Sequence, residues 1–145
     1  MLAMPVVSIT RLRVRSWRYL PQFFIRTLLI ARQAGRSAGN LAVTLLRDRH
    51  NTFWTGTSWS DEAAIRTFMH AAPHGPAMRK LLEWCDEASL VRWTQDSSEL
   101  PSWDIAHRRL EQEGRASKVN HPSPAHVAHK FPAPTTRRTA QLRIK

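Results

Sequence analysis

The chain has 145 residues, 42% of them hydrophobic, and a formal net charge of +11. That length suits one domain with a core large enough to need no covalent staples. A lone cysteine, Cys85, excludes an internal disulfide and any paired-cysteine metal or redox motif. Its apolar flanks Leu81, Leu82 and Trp84 predict a buried structural thiol. The longest apolar stretch, 19–34, is interrupted by Pro21, Gln22, Arg26 and Arg32, short of the roughly 18 uninterrupted residues a spanning helix needs. The opening residues pass at once into strand-like sequence with no leader pattern, so a cytoplasmic location is expected.

The charge is unevenly placed. Residues 1–114 carry 15 Lys/Arg against 11 Asp/Glu, whereas residues 115–145 carry seven Lys/Arg and no acid. A basic tail of this kind either touches an anionic partner or simply solubilises the chain.

Residues 6–15 alternate as a strand, with Val6, Ser8, Thr10, Leu12 and Val14 on one face and Val7, Ile9, Arg11, Arg13 and Arg15 on the other. A helix follows over 17–35, with Ser16 as N-cap and Pro21 tolerated in its first turn. Its stripe of Leu20, Phe24, Leu28 and Ala31 is widened by Phe23, Leu29 and Ile30 beyond what one sheet face requires, which suggests a second partner surface. Residues 41–47 and 51–59 read as two strands joined by a hairpin-length connection. Ser60 then caps a helix carrying Asp61 and Glu62 in its first turn. Pro73, Gly75 and Pro76 break that helix before Met78, Leu81, Leu82 and Cys85 resume the pattern. A short strand over 90–94 and a helix from Ser102 to Gly114 complete the body, 4–114. Four prolines and three histidines among small and basic residues predict a disordered tail over 115–145.

The resulting order is β-α-β-β-α-β plus a C-terminal helix, an α+β ferredoxin-like arrangement with both main helices on one face of an antiparallel sheet. Its second face would expose Trp54 or Phe53. Dimerisation, sheet against sheet, is the simplest cover.

Several chemistries lack their residues: there is no Gly-rich phosphate loop, no GxSxG elbow and no Cys/His nucleophile pair, and the acids are scattered. Nucleic-acid recognition of RNP type is set aside because the third strand lacks the Lys/Arg-Gly-Phe pattern. His121, His126 and His129 have no cysteine or carboxylate companion and are not read as metal ligands. The candidates that remain cluster after the third strand. His74, between Pro73 and Gly75, can abstract a proton or ligate iron. His70 either offsets a helix dipole or faces a ligand. Trp54 and Trp59, five apart, point to opposite sheet faces. One should pack beneath the helices and the other toward the dimer or a pocket. Arg79, one turn past the break, can pair with an anion.

The segments Val6-Val7-Ser8-Ile9-Thr10-Arg11-Leu12-Arg13, Trp54 to Ala64, His74 with Met78, and Leu100-Pro101-Ser102-Trp103 resemble a family of small bacterial proteins. That family is similar to the antibiotic-biosynthesis-monooxygenase superfamily of dimeric α/β barrels, and the likeness spans about residues 4–114. The resemblance implies a homodimer with a hydrophobic small-molecule pocket between sheet and helices in each subunit. It implies monooxygenase chemistry, either without a cofactor or with haem, as in the haem-degrading and spheroidene monooxygenase relatives. Haem-degrading members use a tryptophan near the end of the third strand, a histidine on the next helix and an asparagine on the first strand. Trp59 matches the first, and His70 or His74 the second. Ser8 and Thr10 stand where the asparagine would be, which argues against haem degradation of that type. The leading expectation is a monooxygenase-type oxidoreductase acting on a hydrophobic aromatic or polyene substrate, with His74 and Trp59 catalytic and Trp54, His70, Arg79 and Thr10 binding. The alternative is a non-catalytic binding or assembly protein on the same barrel.

Overall fold

The computed structural model describes residues 4–71, 74–135 and 141–145, excluding the side chains of 74–78. Among the described residues, five α-helices and six strands follow the order β1 (Val6–Val14), α1 (Leu20–Arg36), β2 (Asn40–Asp48), β3 (Thr52–Trp59), α2 (Glu62–His70), α3 (His74–Trp84), β4 (Cys85–Thr94), α4 (Trp103–Glu113), β5 (Arg115–Ala116), α5 (Pro124–Ala128) and β6 (Gln141–Arg143). The strands form one antiparallel sheet in the order β5-β4-β1-β3-β2-β6. Its central four, β4-β1-β3-β2, are the ferredoxin-like arrangement expected from the sequence.

Local chemistry sets most boundaries. Ser16 accepts from the Arg18 amide and starts a 3-10 turn, Trp17–Tyr19, which leads into α1 with Pro21 in its first turn. Asp61, not Ser60, caps α2 by accepting from the Ala64 amide at 2.8 Å. Gly39 holds φ at +86°, and a Cβ there would lie 2.5 Å from the Ala64 Cβ. Only glycine lets the α1–β2 turn pass so close to α2.

The fourth strand was expected over 90–94 and instead runs from Cys85, directly after α3. The helical pattern through Leu82 and Cys85 is cut short because β1 pairs along nearly its whole length, down to Val14 against Cys85. Long-range pairing overrides local periodicity here.

The two faces of the sheet are packed by different parts of the chain. On one, Val6, Val43 and Trp59 meet Ala31, Ala34, Ile65 and Phe68 of α1 and α2. Toward the far end of the same face, Val14 and Phe53 pack on Phe23 of α1 and Trp84 of α3. On the other, Val7, Ile9, Leu46, Trp54 and Val91 lie beneath Ala106 and Leu110 of α4 and Phe131. The face expected to be bare is therefore covered by the chain itself, which removes the argument that a second copy must cover it. Some apolar surface remains: Trp17, Phe24, Ile25 and Leu29 of the first helical region are exposed, so its wide apolar arc is only partly used.

Described parts of the segment 115–145, expected to be a disordered tail, pack on the sheet. β5 pairs with β4 and β6 with β2. Val119 and Phe131 are buried. Asp48 accepts from the Thr135 hydroxyl at 2.8 Å and from the Trp54 indole at 3.1 Å. Burial by itself would raise the Asp48 carboxyl, but these bonds, with the Thr135 and Arg49 amides, outweigh it and hold it below its ordinary range. Mean composition missed this because a few apolar anchors suffice when the niches they enter are already formed.

Cys85 is fully buried, and burial followed by the charge of Asp86 pushes its thiol up to about 12. The native protein should therefore resist Ellman's reagent at pH 8 while the urea-unfolded chain reacts stoichiometrically. Fast native labelling would show that β4 opens readily at this position.

Candidate functional site

Between the helix-facing side of the sheet and α1, α2 and α3 lies a cavity of about 410 Å³. That is within the range of about 300–1,000 Å³ typical of small-molecule sites. Strand alternation builds its floor: Ser8, Thr10 and Leu12 of β1 lie beside Thr55 and Thr57 of β3 and Ala88, Leu90 and Arg92 of β4. α1 supplies Phe23, Arg26 and Ile30, while Phe68 and Met69 of α2 close one side; the Arg26 guanidinium lies 5.8 Å from the Trp84 ring centre. The result is a largely apolar, partly open cavity with a row of serine and threonine residues along its floor.

The sequence-predicted residues divide sharply. Thr10 lies on the floor and Arg79 at the wall. Trp59 is fully buried just behind the wall. Its indole donates to the Thr57 hydroxyl at 2.9 Å and packs on Phe68 at a ring distance of 5.0 Å. Both of those partners line the cavity, so Trp59 fixes the wall without lining it. Trp54, expected as a binding residue, lies on the opposite sheet face, buried in the core in edge contact with Trp103 and Phe131. His70 is exposed and lies outside the cavity lining, because the buried side of α2 is Ile65 and Phe68. His74 is the first residue of α3 rather than part of a turn, and its side chain lies outside the described residues.

Sequence reasoning missed Arg26, Arg92, Ser117 and Lys118, all of which line the cavity. Arg92 was legible in principle, since it stands two residues after Leu90 on a strand and so shares its face. Lys118 was not, because it comes from the segment read as disordered. The Ser117 amide donates to the Ala88 carbonyl at 2.8 Å, and this bond together with β5 pairing brings the segment to the cavity.

Haem is the cofactor the resemblance offers, and the lining residues can be tested against it. No described lining residue is a histidine. Met69 receives a 2.9 Å contact from the Arg92 guanidinium at its sulfur. No group of three or more His, Cys, Asp or Glu among the described residues could hold a metal ion. Among the described lining residues, then, none offers an imidazole to a haem iron. No helix among the described residues is long and apolar enough to cross a membrane.

No protein-family model and no curated protein sequence matches the chain. Solved structures do. A mutant of SnoaB, a cofactor-independent oxygenase from Streptomyces nogalater, is similar with a TM-score of 0.53 and 23% identity, over 66% of this chain and 96% of that one. PA3566 from Pseudomonas aeruginosa gives a TM-score of 0.59 at 15% identity, over 67% and 99% of the two chains. A candidate antibiotic biosynthesis monooxygenase from Nitrosomonas europaea gives 0.58 at 15% identity, over 66% and 93%. The fold is the one these structures share. At such identities the likeness establishes architecture, and any function has to be argued from the site.

Proposed function

We propose that this chain is a monooxygenase-type small-molecule oxidoreductase that takes a hydrophobic aromatic or polyene substrate into the 410 Å³ cavity. The observation that carries the proposal is that cavity: partly open, largely apolar in its walls, with Ser8, Thr10, Thr55 and Thr57 along its floor, and placed between sheet and helices. The fold it shares with SnoaB, whose name describes a cofactor-independent oxygenase, supports the same class. With no cofactor, molecular oxygen is the oxidant and the substrate supplies all four electrons: a CH2 carbon activated by an electron-rich ring or polyene loses a proton, one oxygen atom ends as its carbonyl, and the other leaves as water with the two hydrogens. In this reading Thr10 and Arg79 contact the substrate, Trp59 holds Thr57 and Phe68 in place, and His74 moves the proton.

Oxygen uptake with a panel of tricyclic phenols tests the proposal. Turnover should fall by about a hundredfold or more in His74→Ala with an unchanged melting temperature, and Arg79→Gln should raise KM more than it lowers kcat. Binding without oxygen uptake in the native protein would leave the alternative, a non-catalytic ligand carrier. The burial of Trp59 behind the wall is the observation that favours that second reading. Homodimerisation through the sheet would require α4 and Phe131 to leave it. The proposed working unit is therefore a chain that closes its own sheet.

A further inference from the structure

The cavity's charge has one sign. Arg26, Arg79, Arg92 and Lys118 line it, and no aspartate or glutamate is among the lining residues. These cations come from α1, α3, β4 and the segment after β5, so no single helix face accounts for them. The chain's 11 acids are elsewhere: Glu83, Asp86 and Glu87, for example, pair with Arg15, Arg13 and Arg11. Among the described residues, Arg92 alone of the four has a carboxylate within ion-pair distance, Glu62 at 3.6 Å. Among the described residues Arg26, Arg79 and Lys118 have none. The Arg92 Nε is, in addition, buried without a hydrogen-bond acceptor. Arg79 and Lys118 are exposed at the cavity's rim and Arg26 is half-buried. The buried Arg92 Nε is therefore the donor that most needs an acceptor, since buried N–H groups are seldom left unmatched. The rim cations add a positive potential around it.

We infer that the ligand of this cavity is an amphiphilic anion: a flat apolar body bearing an oxyanion, either a carboxylate or an ionised phenol or enol. This rests on the reading of the cavity as the ligand site, and it adds the charge class. The apolar body would lie against residues such as Ile30 and Leu90, and the oxyanion would meet Arg92 and Lys118. The same field would lower the pKa of a bound phenol, favouring the electron-rich ionised form that reaction with oxygen requires.

Matched probes test the inference on the full chain by calorimetry at low salt. Naphthalene-2-carboxylate should bind at least tenfold more tightly than naphthalene-2-carboxamide. 2-Naphthol should bind with a phenol pKa lower than in water, and comparing its ionised form with the carboxylate identifies which oxyanion is preferred. Lys118→Gln and Arg79→Gln should each reduce the acid-to-amide ratio threefold or more at an unchanged melting temperature. Lys130→Gln, at a position that does not line the cavity, should leave the ratio unchanged. Equal binding of acid and amide would overturn the charge assignment while leaving the cavity as a ligand site. A ratio that responds to Lys130→Gln as strongly as to Lys118→Gln would overturn it as well, by showing a general response to a basic surface. If neither naphthalene binds at millimolar concentration, the cavity reading falls and takes this inference with it.

Discussion

Replacing Glu87 with Ala is expected to remove about 3–5 kcal/mol of folding stability, the usual cost of breaking a buried ion pair from one side. Glu87 and Arg11 are each only 3% exposed, and their closest N–O distance is 2.6 Å. Glu87 also accepts from Ser123 at 2.7 Å and from Arg13 at 3.3 Å. The Arg11 guanidinium lies 4.6 Å from the Phe131 ring centre and 5.8 Å from that of Trp54. Loss of the carboxylate strands that guanidinium in the core beneath α4. Urea unfolding at pH 7 measures the loss. A double replacement, Arg11→Met with Glu87→Leu, should recover much of it, because no charge is then left buried.

The same pair predicts a pH dependence. Burial alone would raise the Glu87 carboxyl, but hydrogen bonds from Arg11 and Ser123, with the charges of Arg11 and Arg13, outweigh it and hold it below its ordinary value of 4.5. A group whose native pKa is depressed contributes stability that is fully present above its unfolded value. The contribution should thus be complete above about pH 4.5 and lost as pH falls through the lower native value. In Glu87→Ala that part of the acid limb should flatten. An unchanged limb would mean the carboxylate is not paired in solution.

Truncation after Gly114 should be the more severe change, abolishing a cooperative unfolding transition near that of the full chain. It deletes Phe131, whose removal alone would cost about 3–5 kcal/mol at a buried site. It also deletes Val119, the Ser123 contact to Glu87 and the Phe131 carbonyl that lies 2.8 Å from the His107 ring nitrogen. Trp54 and Leu110, buried in the same cluster, would lose the Phe131 side of their enclosure. Thermal unfolding combined with analytical ultracentrifugation separates the outcomes. A destabilised, self-associating fragment is expected, because an apolar sheet face without its cover seeks another. A fragment as stable and monomeric as the full chain would show that the segment only rests on the surface.

The sequence by itself determined the order of the main elements and which residues share a face. Period-two alternation placed Thr10 with Ser8 and Leu12, and set Trp54 and Trp59 on opposite sides of the sheet, because a strand admits only two side-chain directions. Ser16 and Pro21 likewise marked the start of the first helical region through chemistry confined to neighbouring residues. Of the six site residues read from the sequence, Thr10 and Arg79 line the cavity, while Trp59 stands one layer behind it. What only the tertiary structure decided depends on distant partners. β4 begins at Cys85 because β1 extends that far alongside it. The second sheet face is closed by α4 and Phe131, and Lys118 reaches the cavity through a hydrogen bond from Ser117 to Ala88. No local pattern records such pairings. A short anchor is stabilised by the niche it enters, and the niche exists only once the sheet has formed.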